Sequence, residues 1–506
     1  MKREDLKIGI FTSKFLNYKF ETYLKEEGFK NIYTFTSFCE FINNLDLLFI
    51  DEEYFRTYRH LINNTLIFAV LTSTIDKDRF LKYIKKGAKS VLLKSADKDD
   101  FTLSLETLIS FKKLENKIIR YAKELQQAIK YKDKQEDLAL NKQLKIIKDD
   151  VNMKFFKDKI VSIYFQPKDI LSGDSYFAIR INNSKNFFCI VDSMGKGLSA
   201  SLTAILSISF LSYLFQTIKY NFETYVKKTI DYIKTILLKD EALCIMFVEC
   251  GEKKIKYVNF SMPPIYIKKN QNIIKLKPNN LPLIDTFNSN NIQINEYKEN
   301  FDMMLMLSDG LLEKEINGTL LFKIFPQLLK KHYFLNDIMK EINKQIENFD
   351  DDVTIISVTK ENFRYRKIFE KEYSFQKQDV DIILEDIKNL NLEKFEIISL
   401  ILIELLLNIF EHQKIINKEK LIKENKTIEN EKTYVKISVF LSKEYVKFEI
   451  KENKKTNFNI SEIFKQERLK KYSGRGILMV NFFTSATAYS PNGDTVKFFI
   501  RRNYGI

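Results

Sequence analysis

The sequence contains few of the residues that build most metal and disulfide sites. It has three histidines and four cysteines among 506 residues, and no two cysteines form a C-x-x-C pair. A disulfide framework, a thiolate metal site and a Ser/His/Asp triad are therefore not indicated. We interpret the cysteines, which lie in apolar stretches, as core residues, and we expect carboxylates to hold any metal.

Glycine, proline and long apolar runs are also scarce. With 13 glycines, 7 prolines and 45% hydrophobic residues, the composition is typical of a compact protein rather than a fibrous or disordered one. The length suffices for about three domains. We expect no membrane helix, which needs about 18 apolar residues, and no signal-peptide core follows Met1–Lys7. These features predict a cytoplasmic protein that does not bind membranes.

The formal charge of +15 raises the question of nucleic-acid binding. The lysines, however, are spread along every segment and alternate with Glu and Asp, and no recognition helix is apparent. A lysine-rich solvated surface is the simpler explanation, so we expect no nucleic-acid partner. DNA binding stays open as an alternative, and it would give an affinity that depends steeply on salt.

Residues 1–110 predict a doubly wound parallel sheet, because short apolar runs alternate with amphipathic stretches. Polar side chains follow three of these runs: Asp51 after LLFI, Thr72 after FAVL and Lys94 after VLL. Such sheets place their sites at the carboxyl ends of the strands. The runs that we interpret as strands are Lys7–Phe11, Leu47–Ile50, Leu66–Leu71 and Ser90–Leu93.

Residues 111–155 contain neither glycine nor proline and predict a helical linker. Apolar side chains recur every three or four positions at Leu114, Ile118, Tyr121 and Leu125. This spacing is typical of a coiled coil, so we expect a homodimer joined through this helix. Residues 130–137 interrupt the apolar pattern, and a solvated single helix therefore stays open as the alternative.

Residues 156–360 and 361–506 predict two further domains. The first contains seven strand-like runs and two strongly apolar helical stretches, which fits an antiparallel sheet system covered by helices. The second begins again with a buried helix, followed by strands, a glycine turn, a helix and a last strand, which indicates a separate α/β domain. The helical stretches are Leu198–Phe215, Phe222–Leu238 and Phe395–Phe410, and the last strand is Thr495–Ile500.

Four acidic residues between 156 and 360 each lie beside an apolar strand, where a solvated charge is not ordinarily found. They are Asp174, Asp192, Asp309 and Asp351. Clustered carboxylates repel one another and raise their own pKa values, so a divalent cation is their natural partner. Oxygen ligands favour Mg²⁺ or Mn²⁺, and two such ions about 3.5–4 Å apart activate water for attack on phosphorus. The alternative is a fold in which these carboxylates only form turns and caps.

The order of motifs in this region resembles the SpoIIE/RsbU branch of the metal-dependent type-2C phosphatases. The resemblance implies an αββα sandwich in which the four aspartates, assisted by the carbonyl of Ser193, bind two Mn²⁺ or Mg²⁺ ions. Where the family has Gly-His, this chain has Ser261-Met262. The matching motifs are GDSY at Gly173–Tyr176, DSMGKG at Asp192–Gly197, NFSMPP at Asn259–Pro264, SDGLLE at Ser308–Glu313 and DDVT at Asp351–Thr354.

Residues 1–110 resemble a response-regulator receiver. The resemblance implies that Asp51 accepts a phosphoryl group from an upstream histidine kinase or phosphotransfer protein, that Thr72 is the switch hydroxyl and that Lys94 pairs with the phosphoryl group. The acidic pair that receivers carry after the first strand is replaced by Phe-Thr-Ser at residues 11–13. Without it Mg²⁺ loses most of its ligands. Phosphorylation of Asp51 and a degenerate receiver that only docks or dimerises both stay open.

Residues 361–506 resemble the small histidine-kinase-like ATPases that act as anti-sigma serine kinases. The resemblance implies an α/β sandwich that binds ATP and Mg²⁺, with Glu404 as general base and Asn408 as metal ligand. The D-x-G-x-G loop of the family is replaced by a segment beginning at Glu452, without its aspartate or glycines. Nucleotide binding and a partner-docking role both stay open. The remaining matches are the turn Gly474-Arg475-Gly476, which opens a helix whose N-terminus suits phosphate, and Thr495.

Together these resemblances imply a switch. The receiver and the coiled coil would control a phosphatase that hydrolyses phosphoserine or phosphothreonine on an anti-anti-sigma-like partner protein, without a phosphoenzyme. The C-terminal domain would phosphorylate or sequester the same partner. The alternative is a non-catalytic partner-switching scaffold, in which all three domains bind and none turns over.

Overall fold

The computed structural model describes residues 3–169, 171–195, 197–316, 318–374, 379–424, 434–453 and 475–502. For residues 136, 137, 140, 411–424 and 475 it describes the backbone alone. The chain divides into two compact units, Met1–Lys134 and Gln135–Ile506.

The first unit contains a five-stranded parallel sheet in the order β2-β1-β3-β4-β5. Successive side chains of its strands face opposite sides. Phe49 packs with helix α1 (Lys14–Glu26), whereas Ile50 packs with α2 (Glu52–Tyr58) and α3 (Lys77–Lys85). The predicted doubly wound parallel sheet is therefore confirmed. Its strands are β1 (Lys7–Phe11), β2 (Asn31–Phe35), β3 (Leu47–Asp51), β4 (Ile67–Thr72) and β5 (Ser90–Leu93).

The predicted linker is part of one long helix, α4 (Lys98–Ile146), which has 49 residues. Its first turns belong to the core of the first unit, where Phe101 and Leu105 are buried against the sheet. Further along, the apolar side chains at the predicted coiled-coil positions are exposed, with Ile118 at 59% and Leu125 at 63%. The helical prediction is confirmed, and the helix begins inside the residues that the sequence pattern assigned to the first domain.

Among its described residues, the central region of the second unit contains two large, mainly antiparallel sheets, a small two-stranded sheet of β17 and β18, and four α-helices. One sheet has the order β15-β12-β11-β10-β9-β6, and the other includes the run β14-β13-β16-β19-β8-β7. The strands are β6 (Lys148–Asp149), β7 (Lys154–Phe156), β8 (Lys159–Gln166), β9 (Asp174–Asn182), β10 (Lys185–Ser193), β11 (Leu243–Cys250), β12 (Ile255–Phe260), β13 (Ile265–Lys269), β14 (Asn272–Leu276), β15 (Asn295–Tyr297), β16 (Met303–Leu307), β17 (Glu315–Ile316), β18 (Thr319–Leu320) and β19 (Val353–Lys360). The helices are α5 (Leu198–Thr217), α6 (Phe222–Ile236), α7 (Leu321–Lys331) and α8 (Leu335–Asn343).

These elements pack as four layers. Ile190 and Met306, one from each sheet, belong to the core between the sheets. On the outer face of the first sheet Phe187 packs with α5 and α6, and on that of the second sheet Leu305 packs with α7 and α8. The αββα layering that the resemblance implied is present, including α7 and α8, which the sequence pattern did not reveal.

Helix α5 departs from the expectation that no stretch is long enough to cross a membrane. By length and composition this helix of 20 residues passes that test, because an 18-residue window of it has a mean hydropathy of 1.7. Its side chains Ala204, Ile208 and Leu211 are fully buried in the core against the first sheet. Helices in the core of a globular protein pass the same test, so this finding is weak evidence for a membrane span.

The C-terminal region is an α/β sandwich. Within the described part of this region, three helices pack on one face of the sheet, where Ile401 and Val480 from the helices contact Ile437 and Phe498 from the strands. The predicted helix at Phe395–Phe410 is present and continues further. The elements are β20 (Arg366–Ser374), α9 (Asp379–Lys388), α10 (Phe395–Glu424), β21 (Tyr434–Leu441), β22 (Tyr445–Glu452), α11 (Arg475–Phe483), β23 (Ala486–Tyr489) and β24 (Thr495–Arg501).

The C-terminal sheet is continuous with the second sheet of the central region. Eleven strands run in the order β14-β13-β16-β19-β8-β7-β23-β24-β22-β21-β20. The junction is a parallel bridge between β7 and β23, at which the Tyr489 N–H donates to the Met153 carbonyl over 2.7 Å. A shared apolar cluster of Ile160, Phe334 and Phe499 supports it. The boundary placed at residue 361 from the sequence lies in the connection between β19 and β20, two strands of the same sheet.

Candidate metal centre

Asp174 and Asp192 lie opposite each other on neighbouring strands. Asp174 begins β9, Asp192 is near the end of β10, and the antiparallel register pairs the two residues. Side chains alternate along a strand, and Tyr176 and Ile190, two positions away, belong to the core between the two sheets. Both carboxylates therefore lie on the inner face of the first sheet, where β9 begins and β10 ends.

Asp309 and Asp351 come from the second sheet. Asp309 opens a short turn directly after β16, and Asp351 lies two residues before β19, which is the neighbouring strand. A side chain at Gly310 would collide with the carbonyl oxygen of Asp352, so the close approach of the two segments requires glycine at this position. The fold thus brings together the ends of four strands and the four predicted aspartates.

The electrostatics show that the carboxylates are crowded. Burial, then the charges of Asp174 and Asp309, raise the pKa of Asp192 to about 9, and its carboxyl group shares a hydrogen bond with that of Asp309. Burial, with Asp352 and Asp309 nearby, raises the pKa of Asp174 to about 7. Burial and the charge of Asp351 likewise raise the pKa of Asp309. These groups cannot all ionise at neutral pH unless a cation compensates them.

Two buried hydroxyl groups orient Asp174. The Thr354 Oγ1 donates to Oδ2 of Asp174 over 2.7 Å, and the Ser308 side chain also forms a hydrogen bond with this carboxyl group. Ser193, predicted to assist through its carbonyl, donates its N–H to the Gly173 carbonyl over 3.2 Å and so lies beside Asp174. The sequence motifs contain Thr354 and Ser308, but composition and spacing gave them no role.

Asp352 was not identified as a site residue from the sequence. Its carboxylate accepts from the N–H groups of Lys168 and Gly173, each at 2.7 Å, and thereby fixes the loop before Asp174. The only signal in the sequence is its place as the second aspartate of the DDVT motif. Glu313 is a further carboxylate at the margin, where the charge of Asp309, followed by burial, raises its pKa.

Ser261 and Met262, which replace the Gly-His of the resembling family, lie in a tight turn and in the core. Ser261 has a φ of +54°, a left-handed conformation that glycine adopts without strain. Its N–H donates to the Asn280 carbonyl over 3.2 Å, and Met262 is buried between the sheets. The turn is therefore kept although both characteristic residues of the family have changed.

The donor set fits a hard divalent cation. Among the described residues, no three His, Cys, Asp or Glu side chains are arranged to hold a metal as they stand. All donors are oxygen atoms, and their mutual repulsion falls when a cation binds. Asp174 is buried, Asp192 and Asp351 are partly buried, and Asp309 is exposed. Asp174, Asp192, Asp309 and Asp351 are the residues that would hold Mn²⁺ or Mg²⁺.

The predicted phosphoacceptor Asp51 is buried at the end of β3, and its carboxylate is fully engaged. Oδ2 forms an ion pair with Lys94 Nζ at 2.8 Å and accepts from Thr12 Oγ1 at 3.2 Å. Oδ1 accepts from the Glu53 N–H at 3.0 Å, which caps α2. Lys94 and Thr12 thus both contact the Asp51 carboxylate through their side chains.

Thr72, the predicted switch hydroxyl, does not contact Asp51. Its Oγ1 hydrogen-bonds to the carboxylate of Glu52 and lies 3.1 Å from the Thr74 carbonyl. Glu52 also forms an ion pair with Arg56. The carboxylate of Glu52, the residue next to Asp51, is therefore already paired with Arg56 and with the Thr72 hydroxyl group.

In the C-terminal region, Glu404 and Asn408 lie one turn apart on α10, with Asn408 Nδ2 3.4 Å from Glu404 Oε1. Asn408 and Glu452 line a small pocket of about 40 Å³ together with Asp494. Gly476 packs directly against the Glu404 carboxylate, and Thr495 Oγ1 donates to Asp494 over 3.1 Å. Gly474 and the side chain of Arg475 lie outside the described residues, so the predicted turn is not tested there.

Residues 182–361 match the family model described as Stage II sporulation protein E (SpoIIE). The match includes Asp192, Asp309 and Asp351 and begins after Asp174. Stage II sporulation protein E of Priestia megaterium is 30% identical over 149 residues, which cover 28% of this chain and 25% of that protein. Its counterpart in Bacillus subtilis (strain 168) is 26% identical over 204 residues. The match covers 37% of this chain and 24% of that protein.

The chain thus spans about a quarter of the length of these curated relatives. A solved structure, the SiaA-PP2C domain of Pseudomonas aeruginosa, is similar at a TM-score of 0.40 with 16% identity, covering 46% of this chain and 98% of that one. The family match falls on the αββα region and contains three of the four clustered aspartates. Residues 182–361 of this chain are therefore similar to the Stage II sporulation protein E (SpoIIE) family, whose model they match.

Proposed function

We propose that this protein is a Mn²⁺- or Mg²⁺-dependent phosphatase that dephosphorylates serine or threonine on a partner protein. The observation that carries the proposal is the meeting of Asp174, Asp192, Asp309 and Asp351 at the edge where the two sheets face each other. Carboxylates so crowded destabilise the fold unless they bind cations, and they offer the oxygen donors that phosphoryl transfer to water requires.

Each group of the chain has a distinct task in this proposal. When bound, the ions supply positive charge for the phosphoryl oxygens and lower the pKa of a water molecule. The four aspartates would hold them, together with the carbonyl of Ser193. Thr354 and Ser308 fix the rotamer of Asp174, and Asp352 fixes the loop before it. No side chain is required as a nucleophile, so hydrolysis is direct and forms no phosphoenzyme.

The partner class follows from the order of the three resemblances along the chain. A receiver-like domain, a phosphatase and an anti-sigma-kinase-like domain in one polypeptide fit partner switching, with a phosphorylated anti-anti-sigma-like protein as substrate. The proposal places the protein in the cytoplasm as a homodimer joined through α4. Asp51 would receive its phosphoryl group from a histidine kinase or a phosphotransfer protein, and the C-terminal region would bind ATP and Mg²⁺ beside Asn408.

A scaffold that binds the partner without turnover is the second candidate. The engaged carboxylate of Asp51 and the substituted adenine loop at Glu452 favour it for the two flanking regions. It does not account for the aspartate cluster, because a binding surface needs no group of carboxylates that raise one another's pKa values.

The deciding experiment measures phosphate release from p-nitrophenyl phosphate and from phosphoserine and phosphothreonine peptides, with Mn²⁺ and with EDTA. We expect Mn²⁺-dependent turnover that falls at least about 100-fold in Asp192→Ala and in Asp309→Ala, because each substitution removes a metal ligand. Asp240→Ala is the matched control, since Asp240 is exposed and lies outside the cluster. Turnover that survives EDTA or both substitutions would contradict the proposal, and absence of turnover in folded wild-type protein would favour the scaffold.

A further inference from the structure

Gln143 is completely buried, although it belongs to a helix whose preceding turns are exposed. Its side-chain amide forms a two-way hydrogen-bonded pair with the backbone of Ser172. Nε2 donates to the Ser172 carbonyl over 2.8 Å, and Oε1 accepts from the Ser172 N–H over 3.2 Å. Nε2 also lies 3.4 Å from the carbonyl oxygen of Asp174.

The Gln143 side chain takes the place of a neighbouring strand beside Ser172. Strand β6 pairs with β9 only at Phe177 and Ala178, further along the strand. At Ser172, before β9 begins, the amide of Gln143 supplies the donor and the acceptor that a neighbouring strand would otherwise provide. Buried backbone groups without partners destabilise a fold, so Ser172 depends on this one side chain.

Hydrogen bonds within and beside the segment 172–174 fix Asp174 relative to Ser172. The Asp174 N–H donates to Ser172 Oγ over 3.1 Å, and the residue between them, Gly173, donates its N–H to Asp352 over 2.7 Å. The segment 172–174 is therefore held by Gln143 on one side and by Asp352 on the other. Asp174, at its end, is the carboxylate opposite Asp192.

We propose that Gln143 is a positioning residue for the metal centre. By fixing Ser172 it sets the place of the Asp174 carboxylate relative to the other three aspartates, and it does so without contacting the metal. The inference rests on the proposed function and adds to it that the end of α4 belongs to the site. Groups that orient metal ligands in this way commonly change metal affinity about 10- to 100-fold when they are removed.

The test measures Mn²⁺ binding to the full-length chain by titration calorimetry. Gln143→Met keeps the length and helix propensity of the side chain but removes its donor and acceptor, and we expect Mn²⁺ affinity to fall at least about tenfold. Gln127→Met is the matched control, because Gln127 is exposed on the same helix. We expect it to bind Mn²⁺ as the wild type does.

A merely structural role predicts a different result. In that case the thermal unfolding midpoint in EDTA falls, while the folded protein keeps wild-type affinity for Mn²⁺, and the inference is overturned. If Gln143→Met does not fold, Mn²⁺ binding is measured on Gln143→Asn instead. Asparagine keeps a polar amide, but its side chain is one methylene too short to reach both the carbonyl and the N–H of Ser172. Equal Mn²⁺ affinity in wild type and Gln143→Asn then overturns the inference.

The two proposals fail in distinguishable ways. If folded wild-type protein binds no Mn²⁺, the proposed function fails, and the role of Gln143 fails with it. If the wild type binds Mn²⁺ and the Gln143 variants bind it equally well, only the positioning role is wrong.

Discussion

Arg501 on β24 contacts His332 at the end of α7, with its Nη1 2.7 Å from the imidazole Nδ1. A guanidinium only donates hydrogen bonds, so Nδ1 accepts and the neutral ring carries its proton on Nε2. His332 is 4% exposed. Burial, followed by the charge of Arg501, lowers the pKa of His332 to about 4. A contact between the central and C-terminal regions thus depends on a neutral histidine.

Protonation of His332 in mild acid should therefore reduce the stability that this one contact gives to the second unit. Because the pKa of His332 in the folded protein lies below its ordinary value of 6.5, the unfolded chain takes up the proton first. The stability that depends on the neutral ring is complete above pH 6.5 and is lost as the pH falls toward 4. Between pH 7 and pH 5 we expect a loss of about 1 kcal/mol from this residue, after allowance for solvent screening.

The measurement compares urea unfolding of wild type and His332→Gln at the two pH values. Glutamine keeps an acceptor for Arg501 but does not titrate, so the variant should lose less stability on acidification. Equal losses in the two proteins would show that His332 is not responsible.

Phe334 joins the central and C-terminal regions through apolar contacts. Its ring lies 5.1 Å from that of Tyr445 and 5.0 Å from that of Phe499, centroid to centroid, and it is 1% exposed. We expect Phe334→Ala to lower the free energy of unfolding by about 3–5 kcal/mol, the usual cost of removing a buried aromatic ring. Phe482→Ala, at an exposed phenylalanine of α11, should cost far less.

The continuous sheet also predicts how the two regions unfold. Circular dichroism and limited proteolysis of the Phe334→Ala protein should report loss of the central and the C-terminal regions in one transition. Separate transitions, with the central region unaffected, would contradict the view that the eleven strands form one cooperative sheet.

Gly310→Ala adds only one methyl group, but it should disrupt the candidate metal centre. The added Cβ would collide with the carbonyl of Asp352, so the turn that carries Asp309 must move away from Asp351. We expect a loss of at least about 2 kcal/mol of stability and loss of Mn²⁺-dependent turnover. Gly318→Ala is the control, since open space surrounds that position and only its φ of +74° is strained. Comparable turnover in the two variants would contradict the prediction.

The exposed apolar face of α4 predicts self-association. If Leu114, Ile118, Tyr121 and Leu125 form a coiled-coil seam, then Leu125→Lys places a charge in that seam and should shift the protein from dimer to monomer in sedimentation velocity. Gln127→Lys, on a different face of the same helix, should leave the dimer intact. A wild-type protein that sediments as a monomer would contradict the proposed homodimer.

Elements with a strong period were predictable from the sequence. The buried runs of β1, β3, β4 and β5 indicate parallel strands, and β9 and β10 each contain a continuous apolar run that also indicates a strand. The aspartates stood out because a carboxylate next to an apolar run is unusual, and their meeting followed from the ends of strands lying at one edge.

Other features depend on contacts between distant segments and leave little trace in local pattern. The bridge between β7 and β23 rests on one residue pair, Lys154 and Tyr489, and no periodicity reveals it. β20 carries mostly charged and exposed side chains, as edge strands commonly do, so it does not read as a strand. Gln143 resembles any other polar residue of a linker helix, and its burial is decided by the loop that packs on it.

The hairpin between β9 and β10 makes the metal centre sensitive to length as well as to chemistry. Because the two strands supply facing carboxylates, inserting or deleting one residue near Ser184 shifts their pairing and turns one aspartate toward the helices α5 and α6. All ligands would remain in the sequence, yet the site would be lost. A homologue with a hairpin of altered length therefore needs a compensating bulge in the same two strands before its aspartates can be counted as ligands.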